Sequence, residues 1–119
     1  MLIITTDNEL QAFLENPPDP ELSALVAAQA ERLADFELEE IAIFAVCQPG
    51  DHVEQLEAAL RRPILDPDGS FTLPPEIHDE HDGWHELVFI LSDDGFGLVL
   101  FVAKDAATDP RLLKALAHP

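Results

Sequence analysis

The sequence predicts an α+β fold: a single-domain two-layer sandwich, with a mixed sheet of four to five strands and about four helices in the order β-α-α-β-α-β-β-α. Three observations carry this. Trp84 to Ser92 and Phe96 to Lys104 are β-rich runs joined by Asp93-Asp94-Gly95, so a C-terminal β-hairpin spans 84–104. Glu40 to Cys47 is apolar at both alternating sets of positions, which suits a central strand covered on both sides. Between these runs, apolar residues recur at helical spacing behind capping residues.

Taken in order, Met1 to Thr5 reads as a short strand. Thr6-Asp7-Asn8-Glu9 matches a capping box, with Thr6 as N-cap, and Leu10, Phe13 and Leu14 give the helix behind it an apolar face. Pro17-Pro18 ends that helix, because neither residue can donate a helical hydrogen bond. Asp19 caps a second helix with Pro20 in its first turn; Leu22, Leu25, Val26, Ala30 and Leu33 form its buried stripe, and it ends near Asp35. After the central strand, Pro49-Gly50 makes a break. Asp51 and Glu54 then suit a second capping box, opening a helix buried through Val53, Leu56, Ala59 and Leu60. Arg61-Arg62 at its end complements the helix dipole. A last helix follows Thr108-Asp109-Pro110 and docks through Leu112, Leu113 and Leu116.

Residues 63–83 read as a long Pro-rich irregular loop, with a turn at Asp66-Pro67-Asp68-Gly69 and a short extended piece at Ser70 to Leu73. The turn resembles part of a calcium loop. Placing Gly69 at the sixth position puts Ile64 first and Pro75 twelfth, where acids are needed, so the segment is read as a turn.

Composition bounds the function. The 119 residues carry 24 Asp and Glu against six Lys and Arg, a formal net charge of −18. Nucleic acid and anionic membranes are repelled over a Debye length of about 10 Å, so neither is expected as a direct ligand. The apolar fraction of 47% supports a packed core rather than disorder. No segment approaches the roughly 20 apolar residues of a membrane helix. The apolar start, Met1 to Ile4, lacks the basic region of a signal peptide. With one cysteine, no internal disulfide forms, and a cytoplasmic, bacterial-type protein is expected.

No catalytic residue and no cofactor site is read from the chain. It lacks a glycine-rich phosphate loop and a nucleophile elbow. Cys47 and His52 flank the break after the central strand, where a thiol near a helix N-terminus could act as a nucleophile. However, Cys47 continues the alternation of Ile43 and Ala45 and is read as a core residue. Asp93-Asp94 is read as turn chemistry rather than a catalytic carboxylate pair. No metal is assigned. The nearest approach to a ligand set is His78, His81 and His85 within an acidic stretch, and their spacing matches no zinc signature. The same carboxylates would favour protonated histidine.

The expected function is that of a small acidic, non-enzymatic accessory domain whose partner is an unidentified protein, basic in character. Glu76, Asp79, Glu80, Asp82, Trp84, Asp93 and Asp94 are the candidate interaction surface. Trp84 is also read as an anchor pinning the loop to the sheet. Two alternatives stand beside this. The first is an acidic DNA mimic that inhibits a nucleic-acid-binding protein, with carboxylates replacing phosphates. The second is a metal- or pH-responsive loop protein. The hairpin's apolar faces need cover from helices or from a second copy of the chain, which leaves a homo-oligomer open.

Overall fold

The computed structural model describes residues 1–33, 38–91 and 95–117. Its elements are β1 (Leu2–Ile4), α1 (Asp7–Glu15), α2 (Pro20–Arg32), α3 (Leu38–Ile41), β2 (Ala42–Cys47), α4 (Val53–Leu60), β3 (Ile77–Glu80), β4 (Trp84–Ile90), β5 (Gly97–Ala103) and α5 (Pro110–Ala117). The strands form one five-stranded mixed sheet in the order β1-β2-β5-β4-β3. Among the described strands only β2 and β5 run parallel; β1–β2, β5–β4 and β4–β3 are antiparallel. The radius of gyration is 13.5 Å, the size of a single domain of this length. None of the described helices is long and apolar enough to cross a membrane.

The α+β class and the predicted element order hold, with β3 and the short α3 added. The layering differs from the two-layer expectation, because helices cover both faces of the sheet. Strand alternation sends Phe44, Val46, Val99 and Phe101 to one side, where Phe13 of α1 and Leu22 and Val26 of α2 meet them. Ala45, Cys47, Leu98, Leu100 and Val102 go to the other, against Val53 and Leu56 of α4 and Leu112 and Leu116 of α5. A strand apolar on both faces needs cover on both, and the sheet becomes the middle of three layers.

Most caps form as expected. The Thr6 hydroxyl accepts the Glu9 N–H at 3.2 Å, and Asp19 accepts the Leu22 N–H at 2.9 Å. The start of α4 differs. Asp51 instead closes the preceding turn, accepting the Gln48 N–H at 2.9 Å and pairing with the N-terminal ammonium at 3.2 Å. His52 takes the N-cap position, and the Gln55 side chain accepts its N–H at 2.9 Å. The Val53 N–H is met from the far end of the chain by Asp109.

The 63–83 segment is also more ordered than an irregular loop. Gly69 adopts a positive φ of 91° in the expected turn, and Leu65 and Phe71 form an isolated bridge. Ile77–Glu80 then pairs along β4 as the edge strand β3. The sequence Ile77-His78-Asp79-Glu80 has no strand signature of its own; the β4 ladder imposes the conformation. The hairpin between β4 and β5 pairs in full register, with Gly95 at φ 82° and Leu91 donating to Phe96 at 2.7 Å. The predicted turn residues Asp93 and Asp94 lie outside the described residues, as does the expected end of α2 near Asp35.

Candidate functional site

The β3–β4 hairpin gathers most of the residues singled out from the sequence. Pairing sets Glu80 opposite His85, Asp79 opposite Glu86 and His78 opposite Leu87. Directly opposed residues share a face, so the alternation sorts this acidic, histidine-rich stretch into two groups. His78, Glu80 and His85 fall on the side of α4 and α5, with Leu87 and Phe89. His81 and Glu86 fall on the side of α1 and α2, with Trp84 and Val88.

In the first group, His78 Nε2 lies 3.1 Å from His85 Nδ1, and His85 Nδ1 lies 3.6 Å from Glu80 Oε1. The rings are tilted by 49° with centroids 5.2 Å apart. Burial is the main cause that lowers the His85 pKa below the usual histidine value; the neighbouring His78 and the Lys104 ammonium add to it, and Glu80 opposes them. The His85 ring therefore favours its neutral form near pH 7. A groove of about 420 Å³ adjoins His78, walled by Phe71, Pro74, Pro75, Ala115 and Leu116.

In the second group, Glu86 is a buried acid with both oxygens engaged. Oε2 accepts Gln29 Nε2 at 2.7 Å, and Oε1 lies 2.9 Å from His81 Nε2. His81 is thus held apart from His78 and His85, and the three predicted histidines do not converge. The carboxylate that joins the other two is Glu80. The sequence carries a signal for this, because residues two apart on a strand share a face, but it becomes readable only once residues 77–80 form a strand.

Among the surface candidates, Glu76, Asp79, Glu80 and Asp82 are exposed. Trp84 is not; it is 6% exposed and packs in the core beneath α1 and α2, so it anchors the hairpin and leaves the interaction surface. The hairpin's bend is held from α2, where Glu21 accepts the Gly83 N–H at 2.7 Å. A Cβ at Gly83 would approach that carboxylate to 2.9 Å.

The other candidates separate as follows. Cys47 is fully buried, and burial, with the Asp51 and Asp109 charges, pushes its thiol up to about 11. A protonated, inaccessible thiol is no nucleophile at neutral pH. Arg61, Arg62 and Arg111 line one open groove, yet Glu57 and Asp66 line it too. Arg62 donates to the Leu91 carbonyl, and Arg111 pairs with Glu54 and Asp109. Among the described residues, exposed acids occur on α1 (Asp7, Glu9, Glu15), α2 (Glu31), α4 (Glu54) and the β3 hairpin, so these are shared among both helical layers and the sheet edge rather than massed on one face.

No family model matches this chain, and no curated protein or solved structure matches it.

Proposed function

We propose that this chain is a non-enzymatic binding module that takes a basic, extended segment of a partner protein along the outer edge of β3. The observation that carries the reading is that edge. β3 is the last strand of the sheet, and all four of its residues are exposed. His81 donates to the Trp84 carbonyl at 2.8 Å, and the antiparallel alternation then turns the backbone groups of Asp79 inward. Those of His78 and Glu80 face outward, ready for another strand. Glu76, Asp79, Glu80 and Asp82 surround them, and no Lys or Arg occurs between residues 63 and 103.

Such an edge discriminates by charge. Two β3 strands brought together would oppose their own acids, which disfavours self-pairing. A lysine- or arginine-bearing strand meets complementary charge, and main-chain hydrogen bonds supply the rest. The general acidity of −18 would speed encounter with such a partner over longer range. A cytoplasmic setting fits the single buried thiol. The dispersal of acids over both layers supports this local reading over mimicry of a DNA surface.

A fluorescent peptide of alternating lysine and valine, titrated with the full chain and followed by anisotropy, tests the reading. Saturable binding is expected at low salt, with marked weakening in about 1 M salt, where the Debye length is about 3 Å. The variant D79K/E80K should lose binding, whereas E15K/E31K, an equal charge change on α1 and α2, should keep most of it. Equal losses in the two variants, or no saturable binding, would overturn it.

A further inference from the structure

We propose that His78, Glu80 and His85 form a binding site for a divalent transition-metal ion of the zinc class, on the face of the sheet that carries α4 and α5. This site shares Glu80 with the partner-binding edge but rests on a different observation, the convergence of side-chain donor atoms. One ligand atom from each residue lies within 4.8 Å of the others. The separations of 3.1 Å between His78 Nε2 and His85 Nδ1, and 3.6 Å between His85 Nδ1 and Glu80 Oε1, are those of an ion's coordination shell. A tetrahedral ion with ligands at about 2.0–2.1 Å has ligand-to-ligand edges of about 3.3–3.4 Å. Small side-chain adjustments bring both distances to that value.

The convergence comes from the backbone. His78 and Glu80 are two residues apart on β3 and share a face, and His85 stands directly across from Glu80. The ladder that pairs β3 with β4 therefore assembles the donors. The same alternation excludes His81, which Glu86 holds on the opposite face. Two imidazoles and one carboxylate make up a set that zinc takes when a position is left open to water. The Glu80 side chain is 64% exposed, so solvent can complete the shell and an ion can enter. Without an ion the two rings share a hydrogen bond. On binding, the ring that donates there takes its other tautomer, and both nitrogens present lone pairs to the ion.

A second convergence, His52, Glu54 and Asp109, lacks this opening, because the Arg111 guanidinium already pairs with both carboxylates.

Calorimetric titration of the untagged full chain with zinc chloride, at pH 7.5 in a non-chelating buffer, tests the site. One saturable site per chain is expected. Loss of a mere outer-shell partner costs about 10–100-fold in affinity, so H78Q, E80Q and H85Q should each weaken binding at least about tenfold. H81Q should leave it unchanged. Circular dichroism checks each variant's fold; should H85Q unfold, the exposed His78 and Glu80 carry the test. Cobalt in place of zinc should give visible absorption bands that H78Q abolishes. Absence of a saturable site in the wild-type chain, retained affinity in H78Q and E80Q, or an equal loss in H81Q would overturn the proposal.

Discussion

Asp109 Oδ2 accepts the Val53 backbone N–H at 2.8 Å across 56 residues of chain, while Oδ1 of the same carboxylate accepts the Arg111 N–H at 3.0 Å. One buried side chain thereby satisfies the starts of both α4 and α5, the two helices on one face of the sheet. A single N-cap is worth about 0.5–2 kcal/mol, so Asp109→Ala, which uncaps two helices, should cost about 1–4 kcal/mol. Urea denaturation checks it. An unchanged midpoint would mean that the helix starts find other acceptors.

The same carboxylate makes a pH prediction. Burial pushes the Asp109 pKa up, but the Val53 and Arg111 amides and the Arg111 charge together outweigh it, and the net displacement is downward from 3.8. A group with a depressed folded pKa contributes stability above its unfolded value and loses that contribution as pH falls through the folded one. The stability gap between wild type and Asp109→Asn should therefore be largest above pH 3.8 and shrink below it. Midpoints in urea across pH 2 to 7 read this out; a gap constant with pH would contradict it.

Cys47 should resist thiol reagents in the folded chain. It is fully buried, with its thiol raised to about 11, so little thiolate exists at pH 8 and none of it is accessible. Reaction with a disulfide reagent should be slow in buffer and rapid in denaturant. Equal rates in both would show Cys47 to be reachable in the native state.

Gln29 links α2 to the sheet through Glu86, a residue that is 6% exposed. Gln29→Leu removes a donor to a buried charge, an interaction worth about 1.5–3 kcal/mol. The variant should lose about that much stability, and amide exchange in the β3–β4 hairpin should quicken. A neutral effect would mean that His81 alone suffices for Glu86.

The elements with strong local chemistry were legible. Asp19-Pro20 starts α2 where expected, and the double-faced apolar run around Phe44 is a central strand. What escaped depended on partners distant in sequence. Val53 is capped by a residue far down the chain, so Asp51, adjacent and acidic, looked like the cap. Residues 77–80 hold little strand propensity beyond Ile77, and they become β3 because β4 offers a ladder. Without that strand, His78, His81 and His85 looked like one cluster. With it, alternation divides them, and Glu80 replaces His81 as the third member of the group.

The claim that the outer edge of β3 is the recognition surface is tested most directly by backbone amide NMR of the full chain during titration with the lysine–valine peptide. The His78 and Glu80 amides should shift and become protected from solvent exchange, with weaker effects on Asp79 and none on the acids of α1 and α2. Shifts spread over Asp7, Glu15 and Glu31, with His78 and Glu80 unmoved and unprotected, would contradict it.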